Sequence, residues 1–147
     1  TPNTGTSYTV VFWKQQVTDS KDATNAQKKY DFAEAVSGRT ATTGTSVSPT
    51  APDRNKNYTG FHYNGENSVA VTVKGDGTTV LNVYYDRNLL SILYHNYYNQ
   101  HYRTDTGLYG QTLQANGYTW PTDIIWRENY NGARLTFLDA FIFADLQ

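Results

Sequence analysis

The stretch Lys74-Gly75-Asp76-Gly77-Thr78-Thr79-Val80-Leu81-Asn82-Val83-Tyr84-Tyr85-Asp86-Arg87-Asn88 constrains this chain more than any other. A glycine turn feeds a strand of alternating apolar residues, and a second apolar run, Leu89-Leu90-Ser91-Ile92-Leu93-Tyr94, opens where the first ends. Alternation is the period of an extended chain with one buried face, and a helix has no use for it. Residues 69–73 alternate in the same way before the turn. The two runs therefore read as a hairpin across Gly75-Asp76-Gly77, with a glycine at positive φ in the bend. The first apolar run of the chain, Tyr8-Thr9-Val10-Val11-Phe12-Trp13-Lys14, shares its aromatic and β-branched character with residues 89–95. A strand-opened unit that closes on a strand and reopens at once has the pattern of tandem repeats. The expected organisation is two consecutive repeat-like units, residues 1–88 and a second, partial one over 89–147.

Residues 69–88, with their glycine turn and closing strand, resemble the end of the β-rich repeats of large Gram-positive surface proteins. These are the Listeria–Bacteroides repeat and internalin B-repeat group, with mucin-binding repeats as more distant cousins. The resemblance covers residues 6–88 loosely and 89–147 partially, because the second unit carries Gly107-Leu108-Tyr109-Gly110-Gln111-Thr112-Leu113 and then Gly117-Tyr118-Thr119-Trp120-Pro121. It implies small β-grasp-like or β-sandwich-like modules strung between a signal peptide and a cell-wall anchor. It implies an extracellular, cell-surface setting, adjacent repeats as neighbours, and a non-catalytic part in cell attachment as stalk or ligand-binding repeat. Such modules sometimes carry a Lys–Asn isopeptide crosslink, for which Lys14 and Asn82 have the residue types, although neither strand offers an obvious catalytic acid. Lys14 reads more simply as a snorkelling residue.

Elsewhere the pattern is uneven. Residues 8–14 have no wholly polar face and read as a central strand; residues 15–27 read as a polar loop or a short solvent-covered turn of helix, and 29–36, compatible with strand or short helix, as a strand. Residues 37–52, rich in Thr, Ser, Gly and Pro, read as connections in which 40–47 make at most a thin edge strand. Tyr58-Thr59-Gly60-Phe61-His62-Tyr63 is a strand bounded by the hairpin pair Asn64-Gly65. In the second unit, 89–95 is a strand, 96–106 a polar and aromatic stretch, 107–113 a glycine-punctuated turn and strand, and Trp120-Pro121 a break. Residues 134–143 fit a helical stripe and a strand alike, and Asn131-Gly132 before them favours the strand.

Composition narrows the function. Aromatics make up 15% of the 147 residues, thirteen of them Tyr, more than a helical protein needs and suited to half-buried sheet faces. The fold class expected is mostly β. Cysteine and methionine are both absent, which removes disulfides, thiol nucleophiles and zinc–thiolate sites and suits an oxidising exterior. With 12 Lys and Arg against 13 Asp and Glu and no block of like charges, nucleic acid is not an expected partner. No apolar run approaches the ~20 residues of a membrane span, so no membrane insertion is expected. Thr1 opens without a signal peptide and no anchor follows Gln147, as expected for an excised piece of a longer mature chain.

Chemistry-bearing constellations are few. His62, His95 and His101 lack an accompanying carboxylate cluster and read as partly exposed sheet or loop residues, so no metal and no cofactor is expected. Ser91 with His95 or His101 and Asp105 lacks a nucleophile elbow, and a lone Asp76 does not make a calcium loop. Asn57-Tyr58-Thr59 is a glycosylation sequon that matters only in a eukaryotic source. Rings and amides are densest over residues 94–126, where Tyr94, Tyr97, Tyr98, Tyr102, Tyr109, Tyr118, Trp120 and Trp126 interleave with Asn96, Asn99, Gln100, His101 and Arg103. Aromatic faces stack on sugars while amides bond hydroxyls, and Tyr and Trp give contact area at little entropic cost. Tyr97, Tyr98, Tyr102, Arg103, Trp120 and Trp126 are therefore the candidate ligand-binding residues, with a host glycan, mucin or matrix protein as partner. Against this stands a core function for the same rings. An accessory glycan-binding module of a secreted carbohydrate-active enzyme is the alternative to the adhesin reading.

Overall fold

The computed structural model describes residues 3–95, 98–119 and 143. The fold is mostly β, and it divides into two compact units, Thr1–Asp19 with Ala23–Arg87 and Ser20–Asp22 with Asn88–Gln147.

The first unit is built around β1 (Thr6–Gln15), whose Thr6, Tyr8, Val10 and Phe12 are buried while Thr9, Val11 and Trp13 are half-buried on the other side. Both faces have something to cover, so the strand sits inside its sheet. β2 (Tyr30–Ala41) lies antiparallel on one side of it and β6 (Val80–Arg87) parallel on the other. β4 (Phe61–Asn64) closes the sheet antiparallel to β6, giving the order β2-β1-β6-β4. A parallel central pair flanked on each side by an antiparallel strand is a β-grasp-like arrangement, one of the two architectures expected. Tyr8, Val10 and Phe12 meet Leu81, Val83 and Tyr85 in the core. Each side chain of this size contributes about 1.5–3 kcal/mol when fully buried. β3 (Ser46–Val47) and β5 (Val71–Thr72) pair as a small second sheet, and their Val47 and Val71 pack against that core.

The hairpin expected from residues 69–85 does not form. Val71 and Thr72 pair with β3, and Val73 continues that ladder by donating to the Thr45 carbonyl at 2.9 Å, whereas residues 80–87 pair with β1 and β4. Alternation specifies which face is buried and leaves the partner open. Leu81, Val83 and Tyr85 share one buried cluster with Tyr8, Val10 and Phe12, whereas the 71–72 segment offers only two residues for pairing. The bend itself is as expected: Gly77 has φ +76°, and the Thr79 hydroxyl accepts from the Lys74 amide at 2.8 Å. Asn64-Gly65 likewise is not a two-residue hairpin, because the chain that follows β4 leaves for β5 and β3.

Thr50-Ala51-Pro52-Asp53 starts the one described α-helix, α1 (Ala51–Arg54), through a capping box in which the Thr50 amide donates to Asp53 Oδ2 at 2.9 Å. Residues 37–52 thus hold a helix start within what reads as connection. Arg39 of β2 grips Asp53 bidentately at 2.5 and 2.6 Å and fixes α1 to the sheet.

In the second unit β7 (Leu89–His95) pairs antiparallel with β8 (His101–Leu108). The polar stretch of 96–106 thus holds most of a strand, and 107–113 supplies only its end and a turn. Inward-pointing Arg103 and Asp105 occupy positions where an apolar residue would have revealed the period. Ile92, Tyr94, Leu113 and Phe143 form a separate core. Gly107 is buried beneath the Phe143 ring, which leaves no room for a Cβ. Of the ambiguous segment 134–143 only Phe143 is described; the rest of that segment, Trp120-Pro121 and Asn131-Gly132 lie outside the described residues.

Two outcomes test this architecture. At Gly77 a Cβ would meet nothing nearer than the Ser7 carbonyl oxygen at 4.0 Å, so any penalty is conformational. Gly77→Val should cost about 1 kcal/mol or more in a denaturant titration, and Gly75→Ala, outside the left-handed region, should cost less. Burial raises the pKa of Asp53, but the Arg39 guanidinium and the Thr50 amide and hydroxyl outweigh it and hold the carboxyl below its usual range. A depressed folded-state pKa gives stability that is present at neutral pH and lost as pH falls from about 4 through that lower value. Asp53→Asn should therefore lose less stability than the native chain between about pH 4 and pH 2, read by thermal melts.

Candidate binding surfaces

In the second unit the residues expected to recognise a ligand divide into structural and exposed groups. Register places Tyr94 opposite Arg103, and the guanidinium lies 4.9 Å from the Tyr94 ring and 5.9 Å from that of Tyr118. The same guanidinium chelates Asp105 at 2.7 and 2.5 Å and donates to the Thr119 carbonyl at 2.6 Å. Asp105 is fully buried and also accepts from the Tyr94 hydroxyl at 2.9 Å. Burial first, then the Asp105 carboxylate, pushes the Tyr94 hydroxyl above its ordinary pKa. Arg103 therefore neutralises a buried charge. Tyr98, 79% exposed, and Tyr102, 43% exposed, are the two candidate rings that face solvent. Tyr102 lies 6.2 Å from Tyr94. Tyr97, Trp120 and Trp126 lie outside the described residues.

The β7–β8 register sets the His95 and His101 rings 5.6 Å apart, and His101 Nε2 lies 2.7 Å from the Thr104 hydroxyl. Among the described residues no group of three or more His, Asp or Glu forms a metal site. The Ser91 hydroxyl lies against that of Thr106, while Asp105 is held by Tyr94 and Arg103, so the serine and the carboxylate are not brought together. Asp76 accepts from the Thr78 hydroxyl and amide at 2.7 and 3.0 Å, a local turn. In β6 Asn82 accepts from the Trp13 indole at 2.9 Å, and Lys14 lies over the Tyr58 ring on the opposite face of the sheet, so the two groups of the considered crosslink are apart.

The first unit carries surfaces that the sequence reading did not single out. On its outer sheet face Trp13 meets Phe32 edge-on at 6.1 Å and stacks with Tyr84 at 6.4 Å, and Tyr84 continues to Tyr30 at 4.5 Å. Phe32 is 62% exposed. Beside this row, buried Asp86 accepts from Tyr30 at 2.6 Å, Lys28 at 2.7 Å and Asn64 at 2.8 Å. Burial and then Asp86 raise the Tyr30 hydroxyl above its usual pKa. Next to β4 opens a concavity of about 460 Å³ whose wall includes Arg54, Lys56, Asn57, Phe61, His62 and Tyr63. Tyr30 and Phe32, alternate positions of β2, are the local signal for the outer row; the concavity joins 54–57 and 61–63 to Tyr85 of β6, a contact that only the fold makes.

Compared with protein-family models, curated proteins and solved structures, the chain matches none.

The geometry separates structure from surface in unit 2. Arg103→Ala strands the Asp105 carboxylate in a buried site and should destabilise the unit by about 3 kcal/mol, whereas Tyr98→Ala should stay within about 0.5 kcal/mol. Hydrogen exchange of the 89–95 and 101–108 amides in the two variants measures the difference.

Proposed function

We propose that the chain is a non-catalytic module of a bacterial cell-surface adhesin, acting in attachment as a load-bearing spacer between the cell wall and a binding region of the parent chain. The observation that carries this reading is the parallel pairing of β1 and β6. Chain enters the first unit along β1 and leaves it along β6. Parallel neighbours run the same way, so entry and exit lie at opposite ends of one sheet. Tension between them acts along the strands and loads the ladder from Thr9↔Val80 to Lys14↔Tyr85 in shear, so its hydrogen bonds share the force instead of parting one at a time. At the exit end Gln15 adds two ties, accepting from the Arg87 amide through its side chain and from the Arg87 Nε through its carbonyl, both at 2.9 Å. The resemblance of residues 69–88 to surface-protein repeats supports the same reading and supplies the extracellular setting and the adjacent repeats as neighbours.

The outer-face row of exposed Phe32 and half-buried Trp13 and Tyr84 favours a second reading, an accessory glycan-binding module of a secreted carbohydrate-active enzyme, since flat rings suit sugar faces.

Force spectroscopy decides on the spacer. The chain has no cysteine, so pairs of introduced thiols give defined handles. Pulling between Thr4→Cys and Asn88→Cys shears β1 against β6. Pulling between Thr4→Cys and Thr78→Cys peels the same pair from the end where both strands start. The shear geometry should require a several-fold higher rupture force, because forced unfolding follows the barrier along the direction of pulling. Equal forces in the two geometries would remove the basis for the spacer reading.

A further inference from the structure

The start of β4 collects positive charge on aromatic faces. Lys14 Nζ lies 4.3 Å from the Tyr58 ring centre and 5.3 Å from that of Phe61, and the Arg87 guanidinium lies 4.9 Å from Phe61 on the same strand pair. Lys56 Nζ sits 4.5 Å from the Phe12 ring. Beside Lys14 and Lys56 lies Glu34, which accepts from the Tyr58 hydroxyl and pairs with Lys56 at 3.0 Å. Asp53 is closed off by Arg39. Arg54 is exposed and forms none of the ion pairs among the described residues.

Of these cations Arg54 and Lys56 line the 460 Å³ concavity, and among the described residues its wall contains no carboxylate. Its volume falls within the range of small-molecule sites. Surface charge that serves solubility is mixed in sign and lies over no particular residue type. Here one sign prevails, aromatic rings lie beneath it, and the Asn57 amide stands beside them. A cation contacts an anionic substituent, an amide bonds hydroxyls and a ring face covers the apolar side of a pyranose.

We propose that this concavity binds an anionic saccharide, with Arg54 and Lys56 contacting its carboxylate or sulfate and Phe61 and Tyr63 contacting the sugar ring. The proposal does not depend on the spacer reading; either stands or fails alone.

The test is an NMR titration of the whole isotope-labelled chain with three tetrasaccharides: an oligogalacturonate, a sulfated galactan oligomer that carries no carboxylate, and neutral cellotetraose. At least one anionic sugar should shift the amides of residues 54–63, and which of the two binds more tightly distinguishes carboxylate from sulfate. Arg54→Gln with Lys56→Gln should weaken binding at least about tenfold, and Arg54→Lys should largely retain it. Should the double variant lose stability with the Lys56–Glu34 pair, Arg54→Gln alone decides, since Arg54 is exposed and outside that pair. No shift with either anionic sugar overturns the proposal, as does equal binding of cellotetraose. Equal binding of a hexaglutamate peptide would reduce the site to a general anion contact and overturn the saccharide assignment.

Discussion

The first unit depends on two strands finding each other from opposite ends of its sequence. Thr9 and Val80 are register partners although about seventy positions separate them, and every other strand of the main sheet is placed by pairing with β1 or β6. Such pairing comes late, because the entropy of closing so long a loop must be met before the contacts form. Val10, Phe12, Leu81, Val83 and Tyr85 are what make the closure favourable, since these side chains reach full burial only when the two strands are adjacent.

Buried carboxylates then fix what apolar packing leaves loose. Asp53 binds Arg39, Asp86 binds Lys28, Tyr30 and Asn64, and Asp105 binds Arg103 and Tyr94. In each case a cation and further donors surround an acid that is almost inaccessible to water. Such groups contribute little net stability compared with apolar replacements, yet a single misplaced partner costs several kcal/mol. Their effect is on uniqueness. Asp53 sets the position of α1, Asp86 holds the 25–28 loop against β4 and β6, and Asp105 fixes the inner face of β8.

That same chemistry marks where the sequence was legible. The mostly β class, the central place of β1, the strand at 89–95 and the positive φ of Gly77 all follow from local residue pattern, and the structure has them. The 69–85 hairpin failed because alternation carries no information about the partner. β8 was hidden because Arg103 and Asp105 stand at inward positions, and a charged pair inside a strand looks like a loop. Arg103 was assigned to recognition for its neighbours in sequence, whereas its partner in space is a buried carboxylate. The concavity beside β4 was illegible for the same reason as the sheet order, since it exists only where segments 54–57 and 61–63 fold against β6.

Load and recognition draw on different parts of the first unit. Tension between the ends passes through β1, β6 and the Gln15–Arg87 contacts, all of which are internal to the sheet. Arg54, Asn57 and most residues bordering the concavity belong to β4 and the chain leading into it, on the sheet edge beyond β6, with Tyr85 of β6 also in its wall. Force applied at the two ends therefore reaches that edge through the four β4–β6 register pairs, from Phe61↔Arg87 to Asn64↔Tyr84, and through side-chain contacts such as Lys14 over Phe61, and does not stretch it directly. A saccharide held there would meet the same wall in the loaded and unloaded states until β1 and β6 part. Substitutions on the concavity should consequently alter binding without moving the rupture force, and substitutions in the β1–β6 ladder should do the reverse.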